Sequence, residues 1–244
     1  MKATERAAEI ISRSSATLAL TGAGISAESG IPPFRGQGGL WDRYNPEEYA
    51  TIDAFLNNPG KVWNMLKEVG EIILKSKPND AHRALAELEE MGKLRGIVTQ
   101  NIDGLHQAAG NKTVIEFHGT HKQIICMSCC KRIKLEQLII QDLPPLCSCG
   151  GILKPEVVLF GEPIPYDALR TAFQEASTCK ALLVIGTSAV VAPASQIPLI
   201  AKQNAATIIE INTESTILTT GISDIFLEGS ASQILPQIVN LLKQ

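Results

Sequence analysis

Five of the six cysteines in this 244-residue chain fall between Cys126 and Cys149, at the spacing of a metal site. Cys126-x-x-Cys129 is followed 17 residues later by Cys147-x-Cys149, within the roughly 15 to 20 residues that separate the two ligand pairs of a zinc ribbon. Four thiolates close a tetrahedron and leave no open position for catalysis. The expected metal is therefore one structural Zn2+ held by Cys126, Cys129, Cys147 and Cys149. Sulfurs bonded to zinc at about 2.3 Å stand roughly 3.8 Å apart, whereas side chains two residues apart on an extended strand stand nearer ~7 Å. The chain must then turn at Ser148, where Gly150-Gly151 can help, and His121 and Cys130 are the spare ligands. Cys179 lies in an apolar stretch and reads as a small buried hydrophobe.

A second chemistry is announced by glycines. Gly22-Ala23-Gly24-Ile25-Ser26-Ala27 closes an apolar run over residues 16–21 and fits the G-x-G-x-x-G/A dinucleotide fingerprint. Gly22 would make the tight turn, and Gly24 would let the backbone approach a pyrophosphate at free N–H groups. The continuation Glu28-Ser29-Gly30-Ile31-Pro32-Pro33-Phe34-Arg35-Gly36 is too rich in Gly and Pro to prolong a helix. Further on, Gln100-Asn101-Ile102-Asp103 hangs from the carboxyl end of a strand over residues 95–99, the edge where ligands bind in doubly wound sheets. His118 ends the next strand, residues 113–117. A lone histidine at a strand end is ordinarily structural; sharing an edge with the glycine turn and the Asn/Asp loop makes this one a candidate base.

These residues need a parallel sheet to bring them together, and the pattern supplies one. Further strands are expected at 181–185 and 207–211, the latter as the last clear one. An amphipathic helix is expected at the N-terminus, and another starts from an Asn79 cap with Ala81, Ala84, Leu85, Leu88 and Met91 on one face before Gly92 closes it. Helices follow over 167–177, 194–202 and 231–242. Such alternation implies a Rossmann-like α/β fold, a doubly wound parallel sheet covered on both faces. Two excursions break it. Residues 1–35, 79–120 and 154–244 form the Rossmann-like domain, with the sheet resuming beyond Lys154; a helical insert (36–78) and a zinc-ribbon insert (121–153) form a smaller domain, leaving a cleft over the strand ends. Most aromatics of the helical insert read as its core.

The stretch GAGISAESGIPPFRG resembles the signature of the sirtuins, the NAD-dependent protein deacylases, and Thr99-Gln100-Asn101-Ile102-Asp103-Gly104-Leu105-His106 resembles their second signature. Phe117-His118-Gly119, Phe160-Gly161-Glu162 and Gly186-Thr187-Ser188 follow in the family's order, so the resemblance covers nearly the whole chain. It implies NAD+ as cofactor, bound by Gly22, Ala23, Gly24, Ser26, Glu28, Phe34, Arg35, Trp41, Gln100, Asn101, Ile102, Asp103, Gly186, Thr187, Ser188, Asn212, Thr213, Glu214 and Ala231. Ser26, Arg35 and Ser188 would meet phosphate, Gln100 the ribose, and Asn101 and Asp103 the nicotinamide ribose and carboxamide. Val158, Phe160, Gly161 and Glu162 would wall the channel for acyl-lysine, with Ile102 and Phe34 excluding water. Asn101 and His118 would be catalytic, His118 as general base on a ribose hydroxyl, giving free lysine, nicotinamide and O-acyl-ADP-ribose. His82 is implied to be structural.

Relatives that prefer succinyl or malonyl groups carry a Tyr and an Arg after a Val-Trp pair; aligned on Val62-Trp63, this chain has Leu66 and Val69 there. An anionic acyl chain would lack a buried cation, so acetyl and longer apolar acyl groups are expected. Pro33 departs from the family's usual Thr or Asp. Two other uses of the same elements stand beside this one, mono-ADP-ribosyl transfer and NAD sensing without turnover. A net charge of −3 without like-charge runs argues against nucleic acid or an anionic membrane as partner. No secretory or membrane-spanning pattern occurs, and the chain is expected to act as a cytoplasmic monomer on acyl-lysine proteins or peptides.

Overall fold

The computed structural model describes residues 2–34 and 38–244. Nine strands form two sheets among these residues. The larger contains β1 (Thr17–Thr21), β2 (Gly96–Thr99), β3 (Val114–Glu116), β7 (Ala181–Ile185), β8 (Thr207–Asn212) and β9 (Ile225–Glu228); the smaller contains β4 (Gly119–Cys126), β5 (Arg132–Lys134) and β6 (Leu153–Val157). In space the larger sheet runs β3-β2-β1-β7-β8-β9 with every pairing parallel. This is the dinucleotide-fold order, which reverses between β1 and β7 and opens a crevice there beyond the strand ends.

Alternation along each strand builds two cores. Ala19, Ile97, Leu183, Ile185, Ile209 and Ile211 face the helices Ala3–Arg13, Asp80–Glu90 and Ala231–Leu242. Leu18, Leu20, Val98, Leu182, Val184 and Ile208 face Tyr166–Thr178 and Gln196–Gln203. Side chains of a strand point alternately to the two faces, so five-residue runs such as TLALT are buried throughout. The helix from Asp80 starts where its cap predicts. Asn79 Oδ1 accepts the N–H groups of Ala81 at 2.9 Å and His82 at 3.4 Å, while Asn79 Nδ2 donates to the Ile25 carbonyl at 2.8 Å and to Ser29 at 3.0 Å. One cap thus holds both a helix start and the loop after β1.

Two features differ from expectation. Beyond Lys154 the chain does not rejoin the parallel sheet: β6 pairs antiparallel with β4, and the parallel sheet resumes only at Ala181. In β4, Ile124 and Cys126 alternate inward, and His121 is buried on the far side of a shift in register before Ile124, a pattern masked in the sequence by the cysteines and polar residues around it. The second is β9, a sixth parallel strand that pairs with β8 at the edge of the sheet, beyond the strand expected to be the last clear one. The small sheet and the helices between Pro46 and Lys75 share a third core, with Phe55, Val62, Trp63 and Met65 packed on Ile124, Leu153 and Val157. The insert aromatics are mostly core, as expected: Trp63 is 2% exposed and its Nε1 donates to the Leu153 carbonyl.

Candidate active site and metal centre

All six parallel strands end on one side, so the segments that follow them meet. A cleft of about 1150 Å³ lies over this edge. Gly22 and Gly24 follow β1, Gln100 to Ile102 follow β2, Gly186 to Ser188 follow β7, Asn212 to Glu214 close β8, and all line the cleft with Ala23, Glu28, His118 and Ala231. Arg35 lies outside the described residues.

The glycines of the first turn serve an approach that the motif alone did not disclose. Gly22 N–H donates to the Ile185 carbonyl at 3.0 Å and Gly24 N–H to the Gly186 carbonyl at 2.8 Å. A Cβ on Gly24 would stand 2.7 Å from Gly186 Cα, and one on Gly186, at φ +57°, would stand 2.5 Å from Ile25 N. The turns after β1 and β7 therefore interlock backbone to backbone at the point where strand order reverses. The segment Ala23–Ser29 is a single short 3-10 helix, in keeping with the Gly- and Pro-rich continuation.

Asn101 is held beneath that turn. Its amide nitrogen donates to the Gly22 carbonyl and to Ser26 Oγ, both at 3.1 Å, and its backbone N–H donates to Thr99 Oγ1. With both amide protons taken, Oδ1 is the atom left for a ligand. Ser26 donates in turn to Asp103 Oδ2 at 2.7 Å, and Asp103 Oδ1 accepts the Leu105 N–H. Ser26 is 1% and Asp103 7% exposed. These two sit one layer behind the cleft wall, whereas Ile102 and Gln100 reach it. Gln100 Nε2 donates to Thr187 Oγ1 at 3.0 Å, tying the β2 loop to the β7 turn. His82 stacks near His106, with ring centroids 4.9 Å apart, and points its Nε2 toward Ser26 Oγ at 3.5 Å, below the floor rather than in it.

His118 occupies the two-residue connection between β3 of the large sheet and β4 of the small one. Its Nδ1 lies 3.1 Å from the Gln100 carbonyl; a carbonyl only accepts, so Nδ1 carries the proton and Nε2 is left as the basic nitrogen. Burial draws its pKa below the ordinary 6.5, opposed by the Gln100 hydrogen bond, so the ring is neutral at neutral pH.

Opposite the glycine turn, Val158, Phe160, Gly161 and Glu162 form a continuous stretch of wall. Val158 N–H donates to the carbonyl of His118 at 2.9 Å, and Phe160 bonds through both its N–H and its carbonyl to residues 50 and 52. Phe34, Trp41 and Phe160 make a row of rings with centroids 5.2 and 6.5 Å apart. Trp41 faces the cleft as well as its neighbours. Met65, Leu66 and Val69 continue the lining as an apolar lobe. The apolar residues Ile164, Val190 and Val191 also reach the cleft; no motif or spacing marked them, because only the crossing of loops from distant strands brings them there.

At the metal centre, Cys126 Sγ lies 3.5 Å from Cys149 Sγ and Cys129 Sγ lies 3.8 Å from Cys147 Sγ, all four sulfurs falling within 4.8 Å of one another. Those separations are close to the roughly 3.8 Å of a zinc tetrathiolate, so the donor set fits one Zn2+. The N–H groups of Cys129 and Ser128 point at Cys126 Sγ and, the Cys129 one foremost, draw its thiol down to about 6, ready to ligate as thiolate. The second pair reaches because the chain turns at Ser148, with Gly150 at φ +85° and its N–H on the Cys147 carbonyl at 2.8 Å. His121 and Cys130 lie outside the cluster; His121 Nδ1 is engaged by the Ile102 carbonyl. Cys179 is buried, as expected.

A profile of the Sir2 family matches residues 22–193. The chain is 48% identical over 238 residues to an NAD-dependent protein deacylase 2 of Pyrobaculum aerophilum, covering 97% of this chain and 95% of that protein. A mutant Sir2 homologue solved with ADP-ribose matches with a TM-score of 0.95 at 43% identity, over 100% of this chain and 97% of the other. A Sir2 complex with a p53 peptide and NAD+ matches with a TM-score of 0.90 at 36% identity, over 98% of each chain.

Proposed function

Because the chain belongs to the Sir2 family, we propose that it removes acetyl groups, and longer apolar acyl groups, from protein lysines at the expense of NAD+. The observation that carries this reading is the meeting of two half-sites in one cleft. The glycine turn with Asn101 stands on one side and the wall from Val158 to Glu162 on the other, with the neutral His118 at the seam between the sheets.

NAD+, when bound, supplies a C1′ centre that becomes electrophilic as nicotinamide leaves. The chain's own residues do the rest. Gly22, Gly24, Ser188 and the Asn212–Glu214 segment hold the dinucleotide, with the missing helix of the first unit replaced by the Gly186 interlock. Asn101 offers Oδ1 toward the nicotinamide ribose, kept aimed by its bonds to Gly22 and Ser26. Ser26 and Asp103, behind it, act by fixing that amide. The Phe34, Trp41 and Phe160 rings exclude water. Val158 to Glu162 orient the acyl-lysine, and His118 Nε2 accepts a proton from a ribose hydroxyl, a task typically worth about 10² to 10⁴-fold. Leu66 and Val69 give the acyl end an apolar lobe without a cation.

Four thiolates leave the zinc no open position, so the metal is structural. The same reading carries a monomer acting in the cytoplasm, with neither nucleic acid nor membrane as direct partner. The last part is supported by a net charge of −3 and by the finding that no helix among the described residues is long and apolar enough to cross a membrane.

The test is NAD-dependent nicotinamide release with an acetyl-lysine peptide beside the same peptide carrying plain lysine. Release only with the acetylated peptide, together with O-acetyl-ADP-ribose, is the expected result. Release with both moves the activity to ADP-ribosyl transfer or NAD hydrolysis.

A further inference from the structure

Behind the channel wall lies a charge that no motif marks. Lys154, on β6, is 4% exposed. Its ammonium donates to the carbonyls of Val157 at 2.7 Å and Pro155 at 3.3 Å and to Glu162 Oε2 at 2.9 Å. Three protons thus meet three acceptors. A buried ammonium is costly unless it is paired and hydrogen-bonded, and here every partner belongs to the segment that follows it. Glu162 Oε2 also accepts the Leu159 N–H at 2.8 Å, so one carboxylate oxygen bridges the ammonium and the backbone of the wall.

The consequence reaches the base. Nζ grips the carbonyl of the Val157–Val158 peptide, and the N–H of that same peptide unit donates to the His118 carbonyl. A peptide unit is planar, so fixing one end fixes the other. Gly119, next to His118, leaves no slack: at φ +77°, a Cβ there would stand 2.0 Å from the Glu156 carbonyl oxygen.

We infer that Lys154 is a positioning residue for the acylated peptide, its buried ammonium locking the wall from Val158 to Phe160 in register with His118. It touches neither peptide nor cofactor and acts through Val157 and Glu162. The inference rests on the deacylase reading and adds to it a residue on which substrate affinity, rather than cofactor affinity, depends.

Steady-state kinetics on the full-length, zinc-loaded protein test it, with an acetyl-lysine peptide varied at saturating NAD+ and NAD+ varied at saturating peptide. Lys154→Met is expected to raise the peptide KM by about tenfold or more, a loss of the size of one hydrogen bond to a charged group, with the KM for NAD+ essentially unchanged. Lys154→Arg, which keeps the charge and the donors, is expected to recover most of the peptide KM. Since Lys154→Met leaves Glu162 unpaired, Lys154→Met/Glu162→Gln is measured beside Glu162→Gln alone. The double variant should fold with a near-native melting curve and still show a peptide KM well above that of Glu162→Gln. Equal peptide KM values for these two, or a peptide KM for Lys154→Met at the wild-type level, overturn the positioning role. A parallel rise in both KM values does so as well, by making Lys154 a general structural residue. A wild-type protein that releases no nicotinamide overturns the deacylase reading itself, and the inference with it.

Discussion

The His118 ring is oriented by a single hydrogen bond and kept unprotonated by its burial. Because its pKa lies below 6.5, the basic form persists as the solution is made mildly acidic. The acid limb of kcat/KM against pH is therefore expected below pH 6.5, and a limb at or above that value would remove His118 as the base. His118→Ala should cost about 10² to 10⁴-fold in kcat while NAD+ binding, read by fluorescence titration, survives, since no bond from the His118 side chain supports the glycine turn. Much of this residue-level site was legible in the sequence, because Asn101, His118 and the glycines sit in short contiguous motifs at strand ends. What was not legible is the layering. Ser26 belongs to the glycine motif and Asp103 to that of Asn101, yet their side chains turn toward one another beneath Asn101, and Lys154 has no motif at all. Side-chain direction depends on which neighbour completes a hydrogen bond, and those neighbours are 75 and more residues away.

Among the elements, the loop after β8 illustrates how a carboxylate can organise a wall. Glu210, 1% exposed on β8, accepts the hydroxyls of Thr216, Thr219 and Ser223, and Thr216 and its neighbours line the dinucleotide side of the cleft. Glu210→Ala takes the shared acceptor from three half-buried hydroxyls and so loosens the loop they tie to β8. It should raise the KM for NAD+ while leaving the KM for peptide, set across the cleft, near its wild-type value; an unchanged KM for NAD+ would show the loop to be held otherwise. The metal module makes a second case. Cys147→Ser is expected to release zinc, detected by a chromogenic chelator, and to lower the melting temperature, because Cys126 and Cys147 are also part of the core shared with Trp63 and Leu153. Retained zinc with a native melting curve would take Cys147 out of the ligand set. The Asn79 cap and the turn at Ser148 were both readable beforehand, each being a local consequence of residue type. The antiparallel β4–β6 pairing and β9 were not: they join segments whose partners are chosen by the packing of the shared core and by a free sheet edge, neither of which is written locally.

At the scale of the whole molecule, all four histidines have pKa values depressed by burial, His82 to about 4 and His106 to about 3, with His118 and His121 also below 6.5. Between these folded values and 6.5 the unfolded chain binds more protons than the folded one, so stability rises with pH across that window and falls as acid is added. The stabilisation is fully present above pH 6.5. Melting temperature is expected to drop progressively from pH 7 toward pH 4, and His106→Phe, which removes a ring whose Nδ1 has no partner, should flatten the drop; a slope equal to wild type would show that His106 does not carry the acid loss. The fold class itself was legible because alternating strands and helices admit few solutions, and the strand order follows from that class rather than from any one residue. The interlock at the reversal point also has a meaning in time. Gly24 finds its partner Gly186 only 162 residues further along the chain, an interval on the order of ten seconds at the pace of synthesis. Throughout it the emerging chain can carry His118 and Asn101 without a finished cradle for phosphate. The cradle is therefore completed late, after β7 slots in beside β1 and the Asn212–Glu214 segment follows it, and a chain cut short before β7 carries the candidate base but no finished place to seat a dinucleotide.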